Sequence, residues 1–230
     1  MEFKITIKYL IPFCLLTLLF VEVHEQGHAI LMTVFFNNLK SRTFTSCISN
    51  STVFKSSDFT IIGGPILTYL FMWIGKFLMS SFNNKKRLLG FSLIFACLPV
   101  ARQLSCFDAD EFYFFNFLLG DTISSKIIAI LFTFSITLPP LITAYRFIQN
   151  KNKIKVFFFF YLFPVVFFAV YLNFGMNMLL NTGFLSECPF FGTPNLILIH
   201  TSIILLLLIY TWKNIDIETN NPTCLLDLIY

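Results

Sequence analysis

Long apolar runs alternate with short polar connections along this chain, and the runs have the length of membrane-spanning helices. A helix crosses the hydrocarbon core with about 20 mostly apolar residues. Six segments approach that length: Tyr9–Phe36, Phe59–Phe82, Leu88–Leu104, Ile127–Ile148, Val156–Leu180 and Leu196–Trp212, the third being short. The connections are brief and no internal repeat is visible, so residues 1–230 read as a single all-α polytopic membrane domain. The first connection, Asn37–Asp58, is different in kind. Thr43–Ile48 and Thr52–Lys55 are rich in strand-forming residues around Ser49-Asn50-Ser51. That loop reads either as a small β-hairpin or as a polar loop without strands.

Composition agrees with the pattern. Hydrophobic residues make up 57% and charged residues 12% of the chain, with a mean hydropathy of +0.78. Soluble domains carry about 25% charged residues, so a water-soluble globule is excluded. Phe alone contributes 32 residues, an excess to which the sequence attaches no mechanism. Lys4 and Lys8 precede the apolar run Tyr9–Val21 as in a signal peptide. No small-x-small cleavage site follows and the apolar pattern resumes at Ala29, so this run is expected to stay as the first span.

The formal charge of +4 is small, and no nucleic-acid partner is expected; the partners implied are the lipid bilayer and other membrane proteins. The distribution of charge is more informative than its sum. Lys4, Lys8, Lys85, Lys86, Arg87, Arg146, Lys151, Lys153, Lys155 and Lys213 fall on one predicted side, and Lys40, Arg42, Lys55, Arg102 and Lys126 on the other. Positive charge concentrates on the cytoplasmic side, so both termini are expected in the cytoplasm. The outer side then receives Asn37–Asp58, Ser105–Lys126 and Asn181–Asn195.

The first span contains His24-Glu25-Gln26-Gly27-His28. Residues four apart share one helix face, so His24 and His28 can present two imidazoles to one ion. Zinc accepts such nitrogens and keeps a position for water in catalytic sites. Glu25 lies one step round the helix, where it can reach that water as a general base. Shuffled chains of this composition contain HExxH in roughly one case in a thousand. The motif also sits inside an apolar span with Glu22 beside it, and ionisable groups there mark function by default. His24 follows Tyr9 by 15 residues, which is about 22 Å along the helix in a core about 30 Å thick. The site is therefore expected in the outer half of the membrane, reached through a water-filled cavity.

A third protein ligand is usual for catalytic zinc. The segment Cys106–Glu111 offers Cys106, Asp108, Asp110 and Glu111 at the face nearest the motif, flanked by Phe107, Phe112, Tyr113, Phe114, Phe115 and Phe117. Asp110 is the favoured ligand, with Asp108 next and Cys106 as a less usual donor.

These elements resemble the site-2 protease family of intramembrane zinc metalloproteases. The resemblance rests on HEQGHA within a span, on Gly63-Gly64-Pro65 in the next, and on an aspartate after the third, and it covers roughly residues 21–120. It implies a three-helix metalloprotease-like core, His24, His28 and Asp110 as zinc ligands, Glu25 as catalytic base, and a membrane protein as substrate. Small residues at Gly27 and Ala29 would let a neighbouring helix approach closely. A hairpin edge beside the site could hold an extended substrate by strand addition. Two departures stand out: Asp108-Ala109-Asp110-Glu111 replaces the family's Asp-Gly pair, and Thr68 stands where many members carry Asn.

Other features are secondary. Asn173, Asn177 and Asn181 share a helix face and could orient a substrate or hold helices together. His200 is a further candidate, either as an oxyanion donor or as a buried bundle histidine. Cys47, Cys106 and Cys188 are expected on the outer side, where two of them could pair in an oxidising compartment. No CxxC occurs among the six cysteines. Pro99, Pro139, Pro140 and Pro164 are expected to kink their helices. The rival readings are a membrane metal transporter or sensor, because intramembrane His and carboxylate groups also line ion pathways, and a catalytically silent scaffold.

Overall fold

The computed structural model describes residues 6–36, 39–49, 57–189 and 192–215. The chain is an all-α integral membrane protein with one small strand pair. Its elements are α1 (Ile7–Phe36), β1 (Leu39–Arg42), β2 (Cys47–Ser49), a 3-10 turn (Ser57–Ile62), α2 (Gly63–Met79), α3 (Asn84–Ala96), α4 (Pro99–Asp108), α5 (Asp110–Leu119) and α6 (Ile123–Phe147). There follow α7 (Lys153–Phe168), a π-helical stretch (Ala169–Asn177), α8 (Met178–Asn181), α9 (Asn195–Thr211) and a closing 3-10 turn (Trp212–Ile215). Among the described residues five helical stretches are long and apolar enough to cross a membrane: Ile7–Phe35, Phe59–Met79, Asn84–Leu119, Ile123–Phe147 and Lys153–Asn181. The sixth predicted segment forms α9, which is apolar but only 17 residues long.

Without a hydrophobic drive between helices in lipid, association depends on close packing, and glycine supplies it at two places. A Cβ on Gly27 of α1 would lie 2.5 Å from the Gly63 carbonyl oxygen at the start of α2, and one on Gly75 would lie 2.7 Å from the Gly90 carbonyl oxygen of α3. Both distances are shorter than real Cβ contacts, so these backbones touch directly. Phenylalanine fills the rest. Phe13, Phe91, Phe95 and Phe160 are completely buried, and edge-to-face pairs join α1 and α3 to α7, with centroids 5.3 Å apart for Phe13–Phe160 and 5.0 Å for Phe91–Phe160. A second use of the residue is a ladder along α7 and into the π-helical stretch, where Phe159, Phe163, Phe167 and Tyr171 stack at intervals of four.

The third predicted span differs from expectation. Instead of one helix over Leu88–Leu104 followed by an outer loop, α3, α4 and α5 form a 36-residue apolar stretch broken twice. A straight helix of that length would measure about 54 Å, far more than the hydrocarbon core. The first break is Cys97-Leu98-Pro99. Pro99 begins α4, and Leu98 before it takes a left-handed conformation (φ 53°, ψ 57°), which side chains other than glycine rarely adopt. The second is Ala109 (φ −150°, ψ −146°). Pro99 thus interrupts its helix outright, whereas Pro139, Pro140 and Pro164 lie inside continuous helices.

The hairpin is present, built from other residues than expected. Leu39–Arg42 pairs antiparallel with Cys47–Ser49, so Thr43–Ile48 is not one strand. Thr43 and Ser46 close the turn instead. The Thr43 N–H donates to the Ser46 carbonyl at 2.8 Å, the two hydroxyls are 2.8 Å apart, and the Thr45 N–H donates to Thr43 Oγ1 at 3.2 Å. Threonine and serine hydroxyls compete locally with the strand ladder, and here they win. The second expected strand, Thr52–Lys55, lies outside the described residues.

Candidate metal centre

Three elements build the site: the C-terminal half of α1, the beginning of α2, and the break between α4 and α5. The helical spacing of α1 places His24 and His28 one above the other, with Nε2 atoms 3.1 Å apart. Gly64 lies directly beneath the rings; a Cβ there would sit 2.5 Å from His24 Cε1. Because α4 ends at Asp108 and α5 starts at Asp110, the break at Ala109 turns the two aspartates apart. Asp110 Oδ2 comes to 3.2 Å from His24 Nε2 and 3.7 Å from His28 Nε2. Asp108 is instead hydrogen-bonded by the Tyr113 hydroxyl. Cys106 is buried, with Sγ donating to the Gln103 carbonyl. Of the three donors the sequence left open, the fold brings Asp110 to the histidines.

The partners of the two rings fix their tautomers. Thr68 Oγ1 donates its single proton to the Gly64 carbonyl at 3.0 Å, so it accepts from His24 Nδ1 at 2.9 Å. The Thr60 carbonyl can only accept, so His28 Nδ1–H donates to it at 3.2 Å. In the neutral rings both Nε2 atoms then carry lone pairs, and both lie against Asp110. Two imidazole lone pairs and a carboxylate oxygen converge, with mutual distances of 3.1, 3.2 and 3.7 Å. Tetrahedral ligands 2.0–2.1 Å from a zinc ion stand about 3.3–3.4 Å apart. Buried acceptors facing one another repel unless a cation or proton lies between them. His24, His28 and Asp110 could thus hold a metal ion.

A cavity of about 390 Å³ opens beside this group, lined by His24, Glu25, His28, Arg102 and Asp110 and by Thr45 and Ser46 of the hairpin turn. Glu25 is buried and borders the same space. The hairpin is held over the cavity from three directions. Arg42, fully buried, pairs with Glu22 of α1 and donates from Nε to Thr193 Oγ1 at 3.0 Å. Its backbone N–H donates to the Gly192 carbonyl at 2.9 Å. Asn177, at the end of the π-helical stretch, accepts from the Phe44 N–H at 3.0 Å and donates to Thr45 Oγ1 at 3.0 Å.

These contacts settle several candidates. Glu22 serves the hairpin through Arg42 and makes no bond to the histidines. Asn177 secures the turn, whereas Asn173 and Asn181 are exposed. His200 Nε2 shares a 3.1 Å hydrogen bond with the Tyr171 hydroxyl, and its ring packs edge-on against Phe44, outside the cavity; it is a bundle histidine. Cys106 and Cys188 are free thiols. Sequence reasoning missed Thr68 and Thr60 as partners of the rings. It also counted Arg102 only among the charges of the outer side and missed its contact with the site, where Arg102 donates from Nη1 to Asp110 Oδ2 at 2.8 Å.

No protein-family model, no curated protein and no solved structure matches the chain. What fold and site define together is a class, an integral membrane protein with a two-histidine, one-aspartate group able to hold a metal ion.

Proposed function

We propose that this protein is a zinc-dependent intramembrane endopeptidase of the site-2 protease type, with His24, His28 and Asp110 as metal ligands and Glu25 as catalytic base. It is multi-pass, crosses the membrane six times with α9 as the last span, and keeps both termini in the cytoplasm. The observation that carries the reading is the convergence of two imidazole lone pairs and one carboxylate oxygen beside a buried glutamate that borders the same cavity. The ligands are held in a defined tautomer by Thr68 and Thr60, as catalytic metal sites require of their outer partners. The hairpin and the loop at Gly192–Thr193 meet at one end of the bundle, in keeping with three outer connections on one side.

Bound zinc supplies Lewis acidity, polarising a peptide carbonyl and making water a competent nucleophile near neutral pH. The rest falls to the chain. Glu25 takes a proton from the attacking water as the new C–O bond forms. It returns that proton to the amide nitrogen as the C–N bond breaks, giving a carboxylic acid and an amine. A substrate helix must unwind to reach the cavity, because its carbonyls are otherwise hydrogen-bonded and shielded.

The test uses full-length protein in detergent, elemental analysis and a set of single-span membrane peptides. Glu25→Gln is expected to keep wild-type zinc content and lose cleavage. Asp110→Ala is expected to lose zinc, and Asp108→Ala to retain it. Normal turnover by Glu25→Gln, or zinc flux across vesicles without any proteolysis by the wild type, refutes the proposal.

A further inference from the structure

The groups behind Asp110 form a buried polar cluster that the proposed chemistry leaves unused. Arg102 stands on α4 between two adjacent carboxylates. Its Nη1 is 2.8 Å from Asp110 Oδ2 and 3.6 Å from Glu111 Oε1. Glu111 is completely buried and accepts hydrogen bonds from the hydroxyls of Tyr69 on α2 and Ser105 on α4. Such a cluster is costly in an apolar bundle unless every group is satisfied.

Its placement explains what it does. Asp110 is the first residue of α5, directly after the Ala109 break, so no preceding helical turn restrains its carboxylate. Asp110 Oδ2 offers two lone pairs. One faces the histidines, and Arg102 takes the other, which fixes the direction of the first. The guanidinium is a rigid planar donor suited to this task, and Glu111, tied to α2 and α4, steadies it. Glu111 also offsets the positive charge that Arg102 brings beside a cation site.

We propose that Arg102 is a positioning residue for Asp110, anchored by Glu111, and that this pair sets the affinity of the metal centre. The inference rests on the metal reading above and assigns Arg102 no contact with substrate.

Two physical pictures predict opposite signs. If Arg102 acted only through its charge, removing it would make the site more negative and tighten divalent-cation binding. If it orients the ligand, removal weakens binding, and outer partners of metal ligands are typically worth about 10–100-fold in affinity. The experiment measures zinc affinity by chelator competition on full-length protein in detergent, together with the melting temperature of the metal-free form. Arg102→Gln is expected to bind zinc about 10–100-fold more weakly, Arg102→Lys to recover part of the loss, and Glu111→Gln to weaken binding by less than Arg102→Gln. Unchanged or tighter zinc binding by Arg102→Gln overturns the proposal, as does a lower melting temperature with unaltered affinity. Should Arg102→Gln fail to fold, wild-type affinity in Arg102→Lys is the overturning result. A wild type that takes up no zinc removes the metal reading itself, an outcome distinct from these.

Discussion

Replacing Gly64 by alanine tests the site at its tightest point. Gly64 is the second residue of α2 and its backbone is helical, so alanine meets no conformational penalty there and is the better helix former. The whole effect is therefore steric. The added Cβ would lie 2.5 Å from His24 Cε1 and 2.6 Å from His24 Nε2, with His28 Nε2 equally close. Ordinary contact begins near 3.4 Å, so both rings, or the helix beneath them, must retreat by about 0.9 Å. Metal sites tolerate departures of about 0.2 Å in ligand distance. The rings cannot move alone, because Thr68 and Thr60 hold their Nδ1 atoms. Withdrawal of α2 would open the close Gly27–Gly63 contact and lose its packing.

Gly64→Ala is accordingly expected to weaken zinc binding at least about 100-fold, equivalent to about 2.7 kcal/mol, and to cost about 1–3 kcal/mol of stability from overpacking. Gly75→Ala separates the two effects. Its Cβ collides with α3, 2.7 Å from the Gly90 carbonyl oxygen, far from the rings. It should lower the melting temperature while leaving zinc affinity intact. Chelator competition and thermal denaturation, both in detergent, read the pair. If Gly64→Ala binds zinc within about threefold of wild type, the rings do not sit over Gly64 and the derived geometry is wrong.

Two further outcomes follow from the same contacts. Thr68→Val removes the acceptor for His24 Nδ1 and should weaken zinc binding about 10–100-fold, whereas Thr68→Ser should restore it; equal affinities in Val and Ser variants would show that the hydroxyl is idle. Arg42→Met leaves the Glu22 carboxylate without its buried partner and should destabilise the hairpin by about 3–5 kcal/mol, seen as faster proteolysis within 43–46. Adding Glu22→Gln should recover part of that loss, and no recovery would mean that the pair is not what fastens the hairpin.

The amphipathic logic that exposes a soluble helix was of little use here, yet the chemistry of the site was legible because it violates the apolar background. Two histidines and a glutamate in a lipid-spanning run need a reason, and the four-residue spacing supplies it. Asp110 was harder. In sequence it is one of three acids in four residues, Asp108, Asp110 and Glu111. What separates them is the backbone at Ala109, an ordinary residue with no turn signature. The role of Arg102 was missed for a related reason. Reading Leu88–Leu104 as one unbroken span hid its partners, and only the left-handed Leu98 before Pro99 shows that the helix is broken there. Pro99 was a visible warning of a kink, but a kink and an outright break look alike in one dimension. The hairpin was legible as strand-forming composition, while its register was not. Register depends on the bonds of Arg42 to Gly192 and of Asn177 to Phe44, which join residues more than 130 positions apart.

The polar groups of this molecule are few, and the described ones around the site divide into two sets attached to the same helix. On one side Glu22, Arg42, Thr193 and Asn177 tie the hairpin to α1 and to the π-helical stretch. On the other Asp110, Arg102, Glu111, Tyr69 and Ser105 tie the broken α4–α5 segment to α2 and to the histidines of α1. Lipid gives non-polar helices no reason to choose one rotation over another, since hydrocarbon meets every apolar face equally well. Unsatisfied polar groups impose the choice, because each one left unpaired in hydrocarbon costs several kcal/mol. A rotation of α1 that kept Glu22 on Arg42 but withdrew His24 and His28 from Asp110 would break the contacts of both imidazoles with that carboxylate. The two sets therefore fix the rotation of α1 jointly, and the cavity between them inherits its shape from both. On this argument the residues that build the site also decide how the bundle packs, so substitutions at Glu22 and at Arg102 should each alter the melting temperature of the metal-free protein, and combined they should lower it by more than either does alone.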